Sequence, residues 1–343
     1  MFRLVRQIHD VSDPLISGLE IVYVDSHQVI IKTEKNFDTV ENHLSVPFAL
    51  IGITGNEIIL RTNEAIISLN AGSAVKETHA LVFSGDTQIK LLYDSDKMVV
   101  RNSVQHGWRL CKYNFRHSQI IWEREDNDTL RVFRFESYLI ATQFENKGLL
   151  TCFSETDGAL LWQLNVNELG LTGAGYELAS RPLRHENYLL LGIRQRFNIY
   201  LLGINIDTGQ LHWQLQGPGL RTEVDNDKIL CFDGHDILQI DPATGAILHA
   251  VSVHDKMTAA GINPYGNVVF KEQHMYLAGI LDTIISVWNI NTGELLWQHR
   301  LYDKSLTGRR GISIPASDNI LQVHDNRIYV LDSERVLHVF ERI

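Results

Sequence analysis

The nine residues "NIDTGQLHW" (Asn205–Trp213) return almost unchanged as "NINTGELLW" (Asn289–Trp297), 84 positions later. Self-similarity at a fixed period restricts a chain to stacked, equivalent units, because one such unit cannot bury its own apolar face. "SETDGALLW" (Ser154–Trp162) and "IDPATGAILH" (Ile240–His249, with His at the Trp position) are further copies, and "NFRHSQIIW" (Asn114–Trp122) is a worn one without its glycine. The anchors Trp122, Trp162, Trp213, His249 and Trp297 are separated by 40, 51, 36 and 48 residues. That spacing belongs to a propeller blade and not to helical repeats of ~34 residues.

Each copy carries the same local physics. An apolar strand meets a turn whose glycine (Gly158, Gly209, Gly245, Gly293) can take positive φ without a Cβ clash, and the polar residue before it can bond the turn backbone. A second strand follows and delivers the tryptophan, as in a hairpin with a bulged turn. Upstream of each hairpin lies another strand pair, as in "NYLLLGIRQRFNIYLLGI" (187–204) and "DKILCFDGHDILQI" (227–240). Weaker versions open the chain at 19–34 and 56–70, and one closes it at 326–341. The count is eight units, with seven as the alternative because the first two are the poorest matches. No long stretch shows a 3.6-residue period, so little helix is expected. "FRLVRQI" (Phe2–Ile8) resembles the outer strand "LLWQHRL" (295–301), and the last unit stops short. The expectation is therefore an all-β fold: a single β-propeller domain over 1–343 with four-stranded antiparallel, WD40-like blades. Residues 1–10 complete the C-terminal blade, which leaves no open edge at the seam.

The Asp/Asn-Thr-Gly-x-x-x-Trp pattern at 207–213 and 291–297 resembles the tryptophan-docking repeat of PQQ-type, quinoprotein-like β-propellers. Trp122, Trp162, Trp213 and Trp297 recur at one place per blade and are expected to be packing anchors between blades. Family enzymes of this type use a disulfide between adjacent cysteines, an Asp base and a calcium ion. The three cysteines here (Cys111, Cys152, Cys231) are neither adjacent nor arranged as CxxC. The resemblance is therefore to the non-enzymatic branch, which includes outer-membrane assembly lipoproteins, and no cofactor is expected.

Catalytic and metal-binding motifs are not apparent. His249 and His254, five apart on a strand, point to opposite faces. "REDND" (124–128) and "EVDND" (223–227) lack the glycine and closing glutamate of a calcium loop and read as solvated turns. No GxSxG is present, and "LTGAG" (171–175) does not have the strand-to-helix setting of a phosphate loop.

One feature stands out. Related glycine-containing segments follow three outer strands: "LTGAGYELASRPLRHEN" (171–187), "MTAAGINPYGN" (257–267) and "LTGRRGISIPASDN" (306–319), with a shorter cousin at 217–227. In a propeller such segments cross to the next inner strand and converge around the central channel. A crossing needs similar backbone chemistry each time, which is one reason for the recurrence. Partner binding is the other. It would gather Tyr176, Arg181, Arg184, Arg221, Tyr265, Arg309 and Arg310 on one face, joined by Arg194, Arg196 and Phe197 of the turn at 194–198. Arginine and tyrosine dominate protein hot spots, and several cations on a chain of net charge −10 suit an acidic peptide or other anion. The same charge argues against nucleic acid. No apolar run reaches the ~20 residues needed to span a bilayer. The N-terminus shows no leader-like apolar core, so the expected location is cytoplasmic. The expected function is a non-catalytic protein-interaction scaffold: an adaptor, assembly subunit or inhibitor. The alternative is a small-molecule or glycan sensor or enzyme at the channel mouth.

Overall fold

The computed structural model describes residues 1–343 except 18–19, 25–29, 34–38, 43–48, 55–56, 63–64, 71–75, 82, 84–85, 94–95, 106, 127, 144, 147, 172–174, 197, 218–220, 304, 306–312 and 315–319. The described residues form eight antiparallel sheets, here numbered in chain order: sheet 1 (12–42), 2 (49–80), 3 (87–126), 4 (129–165), 5 (177–216), 6 (222–252), 7 (266–300) and 8 (321–342). Each has four strands that pair in sequence order, except that the first strand of sheet 5 is broken into Glu177–Leu178 and Leu183–His185. The outer strand of sheet 8 is Phe2–Ile8, paired antiparallel with Leu337–Arg342, and the Ile343 N–H donates to the Met1 carbonyl at 3.0 Å.

First strands of successive sheets run side by side, which makes them the inner ring, and apolar side chains fill the wedge between sheets. Tyr93, Leu110 and Trp122 of sheet 3 meet Val132 and Leu139 of sheet 4. Leu190 and Trp213 of sheet 5 meet Ile229 and Leu238 of sheet 6. The seam obeys the same rule, since Ile21 and Tyr23 of sheet 1 share a core with Tyr329, Leu337 and Val339 of sheet 8. Strands with apolar side chains on both faces, such as Leu189–Ile193, follow from this geometry, because every middle strand is packed on two sides.

The tryptophan joint has one construction, repeated. In sheet 4 Trp162 pairs with Cys152 and Leu160 with Phe153, so Leu161 is an extra, unpaired residue. The same one-residue bulge falls at Ile121, His212, Leu248 and Leu296, always just before the anchor position. A bulge raises local twist and re-aims the next side chain, here onto the neighbouring sheet. The indole N–H groups of Trp122, Trp162 and Trp213 donate to the carbonyls of Glu155, Ile206 and Pro242 at 3.1, 2.7 and 2.9 Å. His249 keeps the joint, with Nε2 3.1 Å from the Asn291 carbonyl oxygen. Beneath each ring lies the turn glycine of the next sheet. A Cβ on Gly158, Gly209 or Gly245 would come within 2.6–2.7 Å of Trp122, Trp162 or Trp213, and all three have φ of 71–72°. At Gly293 the close neighbour is Val251 instead, and Trp297 packs on Phe2 and Phe340 of sheet 8.

Candidate functional site

Strand order separates the molecule into two ends. Turns between first and second strands, and between third and fourth, lie at the docking end with the tryptophan joints. Turns between second and third strands lie at the other, crossing end, together with the segments that pass from sheet to sheet.

Arg194 and Arg196 stand at the crossing end, where Tyr188–Gln195 turns into Asn198–Asn205. Both are exposed, and Arg196 holds φ of 52° at the turn. Arg194 reaches the Glu177 carboxylate at 3.3 Å. Arg181 is exposed in the break of the first strand of sheet 5, and Tyr265, 69% exposed, precedes sheet 7 at the same end.

Three of the residues read from sequence are placed differently. Tyr176 is buried in the core between sheets 4 and 5, edge-on to Tyr200. It is tucked there because Asn167 Oδ1, in the 3₁₀ turn Val166–Glu168, accepts the N–H groups of Gly175 and Tyr176 at 2.8 and 2.7 Å. Arg184 is at the docking end, paired at 2.9 Å with Glu136 in the first turn of sheet 4 and lying over Tyr138. Arg221 is at the crossing end but is engaged: its Nη1 donates to the Pro264 carbonyl at 2.9 Å and its guanidinium covers Phe232. Burial lowers its pKa. It ties two crossings together. Phe197, Arg309 and Arg310 lie outside the described residues.

The crossings share a structural duty. Val166, Leu171 and Tyr176 enter the core between sheets 4 and 5. Met257 and Ile262, on and after the short helix His254–Ala259, do the same between sheets 6 and 7, and Ile314 between 7 and 8. The acidic clusters also differ from solvated turns. Asp126 forms a 2.6 Å ion pair with Arg101 and accepts from the Thr129 hydroxyl. Glu223 lies on the first strand of sheet 6 and accepts the Phe270 N–H of sheet 7 at 3.1 Å. Burial pushes its carboxyl up to about 7, against the opposing effect of that hydrogen bond.

An acid/base cluster does occur, but sealed. His338 and Asp332 are buried, with Nε2 to Oδ2 at 2.8 Å, and the Tyr302 hydroxyl also donates to Asp332. Burial alone would raise the Asp332 pKa, yet bonds from His338, Tyr302 and the Val336 N–H hold it low. Neither side chain of the pair has exposed surface, and with Tyr302 the cluster joins sheet 8 to the segment that enters it. Among the described residues no group of three or more His, Cys, Asp or Glu is placed to hold a metal ion. The cysteines are free and buried, and burial raises Cys111 and Cys152 to about 12.

Arg181 and several residues that sequence reading did not single out line a cleft of about 220 Å³ between sheets 4 and 5. Arg131, Phe133 and Thr142 come from sheet 4, and Leu178, Ser180 and Arg181 from the broken strand of sheet 5. The sequence signal is the alternation in "TLRVFRF" (Thr129–Phe135), which places Arg131 and Phe133 on one face of an inner strand.

A protein-family model described as outer membrane protein assembly factor BamB, a PQQ-type repeat family, matches residues 146–342. Among solved structures, the crystal structure of BamB from Moraxella catarrhalis aligns with a TM-score of 0.65 at 14% sequence identity, covering 100% of both chains, a likeness of fold. No curated protein matches the chain. These findings overturn the expectation of a cytoplasmic protein, because the family's description is tied to the outer membrane. That expectation rested on reading no leader-like apolar core at the N-terminus, where Phe2–Ile8 forms a sheet strand. Among the described residues no helix is long and apolar enough to cross a membrane. Matched over more than half of its length, with the repeat built joint by joint into a ring of sheets, the chain belongs to the family of the outer membrane protein assembly factor BamB.

Proposed function

We propose that the chain is a non-catalytic scaffold in outer membrane protein assembly, a single propeller domain that holds another protein against its crossing end. The observation that carries this reading is the exposed group at sheets 5–7. Arg181, Arg194, Arg196 and Tyr265 share one end of a closed ring, while the packing residues of that end are turned inward. Arginine and tyrosine are hot-spot side chains, and a rigid platform lowers the ordering cost of association. Among the described residues Arg194 pairs with Glu177; the group supports an acidic protein segment as the ligand, and the net charge of −10 weighs against nucleic acid. The sealing of Asp332 and His338 weighs against an enzyme.

The test is capture from a cell-envelope extract with wild-type protein and with the double variant Arg194→Glu, Arg196→Glu. Both side chains are exposed, so the fold is expected to survive, as circular dichroism checks. The wild type should retain envelope proteins that the variant loses by tenfold or more, since one charge-assisted contact contributes about 1.5–3 kcal/mol. Equal retention by both would move the binding face elsewhere.

A further inference from the structure

We infer that the cleft between sheets 4 and 5 is a binding site for a small carboxylate that carries an apolar body. The cleft exists because the inner strand of sheet 5 is interrupted. Leu178 pairs with Ile193 but Leu183 pairs with Leu190, so two extra residues are looped out between them. The Ala179 N–H still reaches the Gly192 carbonyl at 2.8 Å, and Pro182 has no N–H to give. Ser180 and Arg181 therefore leave the sheet and open a gap toward sheet 4.

The lining is chemically specific. Arg131 and Arg181 are exposed at the cleft and make no hydrogen bond or ion pair among the described residues. Thr142 also lines the cleft, the residue is only 5% exposed, and its hydroxyl is buried with no hydrogen-bond partner among the described residues. A buried hydroxyl left unmatched costs free energy, and the cost disappears when a ligand oxygen accepts from it. Phe133 and Leu178 supply the apolar wall. A guanidinium matches a carboxylate with two parallel N–H bonds, and a second one across the cleft neutralises the remaining charge. A volume of about 220 Å³ equals roughly seven waters at ~30 Å³ each, enough for a short aliphatic or aromatic acid and too small for a folded segment. Glu177, the acidic residue on the lining, is drawn toward Arg194 at 3.3 Å.

The experiment is a titration of the full chain with 3-phenylpropionate, followed by calorimetry or NMR, with 3-phenylpropionamide as the neutral isostere. The acid should bind saturably, and the amide at least tenfold more weakly. Arg131→Gln and Arg181→Gln should each weaken the acid about tenfold. Thr142→Val, which keeps the shape, should weaken it several-fold. A tripeptide ending in leucine, with free or amidated C-terminus, separates the two sources of such a group. Competition by the free end alone assigns the site to chain termini, and no competition assigns it to free acids. The absence of saturable binding at millimolar acid, equal binding of acid and amide, or arginine variants that bind like the wild type would each overturn the inference. Arg131 has no part in the proposed protein-binding face, so its effect on the acid is separate from the outcome of envelope capture.

Discussion

At the docking end the turns at 154–159, 205–210, 241–246 and 289–294 are near-copies of one another. Each glycine N–H returns to the carbonyl four residues back, at 2.8–2.9 Å (Gly158 to Ser154, Gly209 to Asn205, Gly245 to Asp241, Gly293 to Asn289). In the last three, the side-chain oxygen of Asn205, Asp241 or Asn289 also accepts two backbone N–H groups. At the crossing end three segments each bury an apolar residue among the described residues, but with different backbones. One uses a 3₁₀ turn, another a short helix. The difference teaches where to look for function in a repeat protein. A ring of wedges needs the same joint each time, so repetition records stability, while a particular partner requires a surface that occurs once.

The sharpest way to break this division is to remove one joint. Trp162→Ala deletes a ring that is 8% exposed, donates to Ile206 and covers Gly209. A loss of about 3–5 kcal/mol is expected, read from the urea midpoint, because large-to-small core changes of this kind leave a cavity that collapses only in part. Protein that remains folded should still bind its partner. If it binds tenfold more weakly, the joints serve recognition as well.

A smaller effect compares glycines. Gly209 and Gly261 have nearly the same φ, 71° and 68°, but a Cβ on Gly209 meets Trp162 at 2.6 Å while nothing lies within 4 Å of one on Gly261. Gly261→Ala should therefore cost only the left-handed backbone penalty, about 1 kcal/mol, and Gly209→Ala roughly 2–3 kcal/mol as the indole is displaced. Thermal midpoints of the two variants check this. Equal shifts would mean that the docked ring yields freely.

The same division explains what can be read in the sequence. The joints are legible because each is local: nine residues contain the strand, the glycine and the anchor. The closing strand Phe2–Ile8 is legible because its pattern matches an outer strand. The cleft is not legible, since it joins Arg131 and Thr142 to Arg181, about forty to fifty positions on, through a two-residue slip in strand pairing that Pro182 alone does not define. Tyr176 in a glycine-rich loop reads as exposed, and only the Asn167 side chain decides otherwise. Arg184 reads as part of the crossing loop, yet it is the middle residue of the resumed strand Leu183–His185, close to the opposite end. Acidic runs read as solvated turns. Glu223 departs from that because strand order sets it against the backbone of the next sheet.

Glu223 gives the smallest effect and tests the wall between the two ends. Its carboxyl titrates near 7 in the folded chain against an ordinary 4.5, so between those values the native state holds a proton that the unfolded chain has released. Stability from this group is therefore full below about pH 4.5 and declines as pH rises through 7. The shift sets a ceiling of about 3 kcal/mol, and partial solvent contact should reduce it to about 1–2 kcal/mol. Glu223→Gln keeps an oxygen for the Phe270 N–H and carries no charge at any pH. The variant should match the wild type in urea midpoint at pH 4 and exceed it at pH 8. Taking the difference between the two proteins cancels every other titrating group. A variant that is less stable at pH 8 would show that the ionised carboxylate ties sheet 6 to sheet 7 more strongly than burial opposes it. In that case the contact between sheets 6 and 7 would depend on a charge-assisted bond, unlike the neutral indole joints of the docking end.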